Sequence, residues 1–138
     1  MAKCGDTAID AVRRARNAGL HPRDAWITAA DGIFPSAPAS RAKVCPREAF
    51  IGLCTAGFVV GIAAQPNEAK PRPNRYARTA AELVIDRPEL ARESKLKLWK
   101  RVLSVLQADA DKKHNQQMDV VVALFSEGLL KTGLRHLV

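Results

Sequence analysis

Apolar side chains recur every three or four positions along most of this chain, which is the spacing of one face of an α-helix. The first such stripe runs from Ala8 to Ala15 and ends at Gly19, a residue type that commonly closes a helix. Pro22 suits the first turn of a second helix. Further segments with the same pattern are about 46–56, 74–84, 86–108 and 115–131, the third of them interrupted near Ser94. The pattern predicts an all-α protein, a compact bundle of about six helices.

The segment from Pro46 to Ala56 is apolar around nearly its whole circumference, and a helix of that kind is buried on most sides. Gly52 and Gly57 lack side chains, so that a neighbour can come close there or the helix can end. The β-branched residues 58–62 are compatible with a short strand or wing and also with a continued helix.

Residues 64–74 contain three prolines and few apolar side chains, which is typical of a linker. We therefore expect a single helical domain over residues 1–138, with this linker between an N-terminal half and a C-terminal half of three helices each. At 47% hydrophobic residues, a chain of 138 residues is large enough for one core.

Cysteine use and hydropathy predict a cytoplasmic protein without membrane contact. No apolar run approaches the roughly 20 residues that span a bilayer. The first ten residues hold no apolar core of a secretion signal. The three cysteines, Cys4, Cys45 and Cys54, cannot all pair within one chain, and a reducing cytosol explains this most simply.

The positive charge is concentrated in the middle of the chain. Twenty-two Lys and Arg against 14 Asp and Glu give a net charge of +8. Residues 67–101 alone carry ten basic and five acidic side chains. Such a field attracts nucleic acid or acidic proteins, although a generally basic, well-solvated surface has the same composition.

The densest group of candidate functional residues is Ser-Arg-Ala-Lys-Val-Cys-Pro-Arg at positions 40–47. The free N–H groups of a helix start, together with several cations, attract phosphate or carboxylate. The predicted anion-binding residues are Ser40, Arg41, Lys43 and Arg47. The alternative is that the arginines pair with Asp24, Asp31 or Glu48 and leave no room for a ligand.

Cys45 directly precedes Pro46 at this helix start, where positive charge favours a reactive thiolate. A nucleophilic cysteine also needs a base, and His21 is the only histidine near this segment in sequence. The alternative is that Cys45 is simply a small buried residue, as cysteines often are. Since the three histidines show no metal-ligand spacing, we expect no metal and no cofactor, and we assign no catalytic residue.

A second basic group follows the linker and surrounds one aromatic residue, Tyr76. A Pro-rich segment that leads into a basic helix start suits contacts to a phosphate backbone. Tyr76 either stacks on a base or is a core residue beneath a solvated, charged face. The predicted nucleic-acid-binding residues are Lys70, Arg72, Arg75, Tyr76, Arg78, Lys97, Lys100 and Arg101.

The stretch 36–62 is similar to a motif of an uncharacterised family of small helical bacterial proteins. In that motif, Ser-Arg-x-Lys-x-Cys-Pro-Arg runs into an Ala-Phe-x-Gly-Leu-Cys helix and a Gly-hydrophobic pair. The matching residues here are Ser40, Arg41, Lys43, Cys45, Pro46, Arg47, Ala49, Phe50, Gly52, Leu53, Cys54 and Gly57. The resemblance covers about a fifth of the chain. It implies that the protein comes from a bacterium or a phage, and it implies no particular activity.

The sequence favours a binding module that holds the backbone of nucleic acid or another polyanion. The first three helices, with 58–62 as a wing, resemble a degenerate helix-turn-helix, but the third is too apolar to lie in a major groove. We therefore expect backbone contacts, weak sequence preference and steep salt dependence. The alternatives are an interaction or inhibitor module that docks on an acidic protein, and a small enzyme that uses the Cys45 loop.

Overall fold

The computed structural model describes residues 3–41, 43–66, 71–109, 112 and 116–131. Its elements are α1 (Lys3–Ala18), α2 (Pro22–Ile33), α3 (Pro38–Arg41), α4 (Val44–Thr55), α5 (Pro71–Asp86), the 3-10 turn η1 (Pro88–Ala91), α6 (Lys95–Val105) and α7 (Gln117–Ser126). Within the described ranges, six α-helices have ten residues or more and there is no β-sheet. The predicted all-α bundle is confirmed.

Two helix starts are fixed by side-chain caps. Before α2, the Nδ1 atom of His21 accepts a hydrogen bond from the backbone amide of Arg23 at 3.1 Å. Before α6, the hydroxyl of Ser94 accepts a hydrogen bond from the amide of Lys97 at 3.1 Å. The predicted interruption near Ser94 is thus confirmed, because η1 and this cap separate α6 from α5.

The segment 58–62 forms neither a ladder of strands nor a helix. Gly57, with a φ of +85°, ends α4 in a conformation that favours glycine. Val59 then makes one isolated antiparallel bridge with Leu130. This bridge joins the residues after α4 to those after α7, so that the strand alternative is reduced to a single pair.

Helix α5 begins at Pro71, inside the stretch 64–74 that the sequence predicts as a linker. A proline is well suited to the first turn of a helix, because its missing N–H would have no partner there. Residues 67–70 lie outside the described part of the chain.

The core is continuous between the two predicted halves. Helix α4 packs against α2, α5 and α7, and α1 packs against α2 and α7. One apolar cluster combines Phe50 of α4 with Val84 of α5 and Val121 of α7. Every residue of α4 from 48 to 55 is buried, as its apolar circumference predicts.

Candidate nucleic-acid interface

A buried carboxylate organises the start of α4. The Glu48 side chain is only 1% exposed, yet it lies among cations. Arg23 of α2 donates from Nη1 to Oε2 at 2.9 Å and from Nη2 to Oε1 at 3.2 Å. Arg47 adds a bond from Nε to Oε2 at 3.0 Å. Bonds from two guanidinium groups offset the cost of burying this charge.

The four predicted anion-binding residues do not form one described cluster. Arg47 pairs with Glu48, which is the alternative that the sequence left open. Lys43 is exposed and its Nζ donates to the Oε1 of Gln116 at 3.1 Å, before α7. The structure describes the backbone of Ser40 and Arg41 in α3 but not their side chains. The two described members therefore bind different protein partners.

Sequence reasoning missed Arg23 as a partner of Glu48. The signal that points to such a partner is Glu48 itself, because a buried carboxylate needs a cation or hydrogen-bond donors. The sequence does not say which cation, since 25 residues separate Arg23 from Glu48.

The three thiols differ in accessibility. Burial raises the pKa of the Cys54 thiol, which lies inside α4, well above its usual range. Burial also raises the pKa of Cys4, and the nearby Asp119 carboxylate raises it further. Cys45 is half-buried, and its sulfur makes no hydrogen bond to any described residue. The described residues therefore contain no Cys45–His21 pair.

Iodoacetamide near neutral pH should modify Cys45 first. Cys4 and Cys54 should react only after unfolding, because they are buried and their raised pKa leaves little thiolate. Mass spectrometry of peptides from the folded protein checks this order, with Cys45→Ser as the control that removes the fast reaction. Equal rates at Cys54 and Cys45 would contradict the buried position of Cys54 in α4.

The second group of cations covers the outer faces of α5 and α6. The exposed members are Arg75, Arg78, Lys97, Lys100 and Arg101. None of the five forms an ion pair with a described residue. Lys95, by contrast, binds the carboxylate of Asp119 at 2.6 Å. The five charges face solvent without a carboxylate partner among the described residues, and we call them the α5–α6 basic face.

The cations of α6 lie in the middle of its solvent side. Lys97, Lys100 and Arg101 have the spacing i, i+3 and i+4, which places them on one helix face within about 6 Å along the axis. On α5, Arg75 and Arg78 lie in the first half. The acidic residues Glu82 and Asp86 lie in the second half, so the basic face ends there.

Tyr76, which the sequence places among these cations, lies beneath the basic face. Its side chain is 7% exposed, and its ring meets Trp99 edge-on with 5.0 Å between centroids. A base has no open ring surface to stack on there, so Tyr76 is the core residue that the second interpretation describes. Lys70 and the side chain of Arg72 lie outside the described residues.

The contact between Tyr76 and Trp99 joins α5 to α6, the two helices that carry the basic face. The indole Nε1 of Trp99 donates to the carbonyl oxygen of Lys112 at 2.8 Å. Arg75 is adjacent to Tyr76 in sequence, and Lys100 is adjacent to Trp99. The buried ring pair therefore sets the positions of cations on both helices.

The fold and the charge distribution define a small all-α bundle with a basic face on two neighbouring helices. No helix in the described ranges is long and apolar enough to cross a membrane. The chain belongs to the DUF6979 family, a family of unknown function, whose model matches residues 1–131. No curated protein and no solved structure matches the chain. Membership of an uncharacterised family is confirmed, and the bacterial setting stays a prediction.

Proposed function

We propose that this protein is a nucleic-acid-binding module that holds the phosphate backbone on its α5–α6 basic face. The observation that carries the proposal is the set of five exposed cations without a described carboxylate partner. Each such cation displaces a condensed counterion when it meets a phosphate, and this release drives binding. Cations that are already paired with carboxylates contribute less.

Helix α1 also carries several cations, but its surface is of mixed charge. Arg14 is bound to Asp10 at 2.8 Å. A cavity of about 240 Å³ beside it is lined by Asp6, Ile9, Asp10, Arg13 and Glu127. Three carboxylates around this cavity repel a polyanion, so binding is directed to α5 and α6.

The proposal predicts contacts to the backbone rather than to base edges. Helix α4, the third long helix of the chain, is buried over residues 48–55 and is not available to enter a major groove. The exposed cations of α6 are flexible side chains that meet phosphates without reading sequence. Binding should therefore be weakly sequence-dependent and strongly salt-dependent.

The triple variant Lys97→Ser, Lys100→Ser, Arg101→Ser should bind random-sequence nucleic acid at least tenfold more weakly at low salt. The slope of log affinity against log salt should fall by about three units, because roughly one unit is lost per phosphate contact. Fluorescence anisotropy over a salt series measures both quantities.

The matched control is Arg13→Ser, Arg14→Ser, Arg16→Ser on α1, which removes the same number of charges. The control should keep most of the affinity and most of the slope. Equal losses in both variants would mean that only net charge matters, and the proposed face would be wrong. Unchanged binding in the α6 variant would have the same consequence.

Two exposed apolar side chains on α6 favour a second candidate, an acidic protein partner. Leu96 and Val105 are both 58% exposed and border the cations on either side of the helix. A protein partner would bury them, whereas a phosphate backbone would not. Leu96→Ser with Val105→Ser should leave nucleic-acid binding unchanged and would weaken an acidic protein complex.

A further inference from the structure

We infer that the nucleic acid held on the α5–α6 basic face is a duplex, bound through the phosphates of both strands, rather than a single strand. This inference rests on the proposed function. It specifies the class of ligand from three features: no Phe, Trp or Tyr ring is exposed, the α6 cations diverge to both sides of the helix, and the inner side of α6 is fixed in the core.

The first observation concerns the aromatic side chains. The chain has seven Phe, Trp and Tyr residues, all within the described ranges, and none of them is exposed. Six are buried, and Phe125 is half-buried against the core. Proteins that bind single strands stack the bases on aromatic rings, which contributes about 1–3 kcal/mol per base. The described surface exposes none of these seven rings, so a single strand would gain mainly phosphate contacts there.

The second observation is the way the cations are arranged on α6. At about 100° per residue, Lys100 and Arg101 lie on opposite sides of Lys97 and cover roughly 100° of the helix circumference. The three charges therefore diverge to both sides of the helix axis. In a duplex, the phosphate backbones on the two sides of a groove can both contact cations that diverge in this way. A single strand has one backbone, which is contacted best by cations arranged in one line.

The third observation is that α6 is a fixed, convex surface. Its inner side is held by Leu98, Trp99, Val102 and Leu103, each at most 2% exposed. Its first turn is capped by Ser94. A flexible single strand loses conformational entropy when it follows such a surface, whereas a duplex is already rigid and pays little.

The experiment compares three fluorescent ligands of the same random sequence and length: single-stranded DNA, duplex DNA and duplex RNA. The wild-type protein is titrated at low salt, with concentrations expressed per phosphate. We expect at least one duplex to bind tenfold or more tightly than the single strand. The variant Lys97→Ser, Lys100→Ser, Arg101→Ser should lose most of this difference.

The outcomes separate the inference from the proposed function. A preference for duplex DNA or for duplex RNA over the single strand supports the inference and shows which type of duplex the protein binds. Single-stranded DNA that binds as tightly as both duplexes would overturn the inference and leave the proposed function standing. Failure of all three ligands to bind would overturn the proposed function, and the inference with it.

Discussion

Glu48→Ala should lower the free energy of unfolding by about 3 kcal/mol, since breaking a buried ion pair by removing one partner costs this much. The carboxylate is 1% exposed and accepts hydrogen bonds from Arg23 and Arg47. Its removal leaves two guanidinium groups close together without the negative charge between them. The expected loss is at the lower end of the range of about 3–5 kcal/mol for breaking a buried ion pair. The reason is that the side chains of Arg23 and Arg47 are 33% and 23% exposed and recover some hydration.

Urea unfolding, followed by the fluorescence of the buried Trp26 and Trp99, measures the loss. The matched control is Asp10→Ala, which breaks the ion pair of Asp10 with Arg14 on α1, where the side chains are 32% and 42% exposed. A partly exposed pair with this i, i+4 spacing contributes roughly 0.3–0.5 kcal/mol. Equal losses for Glu48→Ala and Asp10→Ala would show that the Glu48 cluster adds nothing beyond a surface pair.

The features of the fold that follow from local sequence were predictable. The period of the apolar residues predicts the helices, and the unbroken apolar circumference of 46–56 predicts the burial of α4. The end of α4 at Gly57 and the break before α6 at Ser94 also follow from single residues. The helix period, the end at Gly57 and the cap at Ser94 depend on interactions that span four residues or fewer, which a sequence shows directly; the burial of α4 follows from its composition.

The candidate site was less predictable, because its geometry depends on contacts between distant segments. The sequence places Arg47 at a helix start with other cations but does not show that Arg23 and Arg47 share Glu48. Likewise, Tyr76 among basic residues fits both a stacking platform and a core position. Only its contact with Trp99, from a different helix, decides between these interpretations.

The start of α5 shows that one local signal is compatible with two structures. The prolines of 64–74 predict a linker, yet Pro71 starts the helix. A proline marks a break when it lies inside a helical pattern and a start when it lies in the first turn. Pro71 lies in the first turn of α5, and Asn74 of the same helix lies beside Gly52 of α4.

Gly52→Ala should lower the free energy of unfolding by about 2 kcal/mol. Alanine is the better helix former by about 1 kcal/mol, so overpacking must exceed that gain. A Cβ atom at Gly52 would overlap the Oδ1 and Cγ atoms of Asn74 and would lie 2.9 Å from its Cβ. Asn74 is 4% exposed and belongs to the contact between α4 and α5, so it has little room to move.

The matched control is Gly32→Ala in α2, where an added Cβ meets nothing within 4 Å. It should be neutral or stabilise the protein by up to about 1 kcal/mol. In the background of Asn74→Ala, which removes a buried Oδ1 that has no hydrogen-bond partner among the described residues, Gly52→Ala should cost less, because only the contact with the Cβ of residue 74 remains. Urea unfolding of the single and double variants gives this coupling energy. If Gly52→Ala lowers the free energy of unfolding equally with and without Asn74→Ala, then Asn74 is not the side chain that sets the distance between α4 and α5.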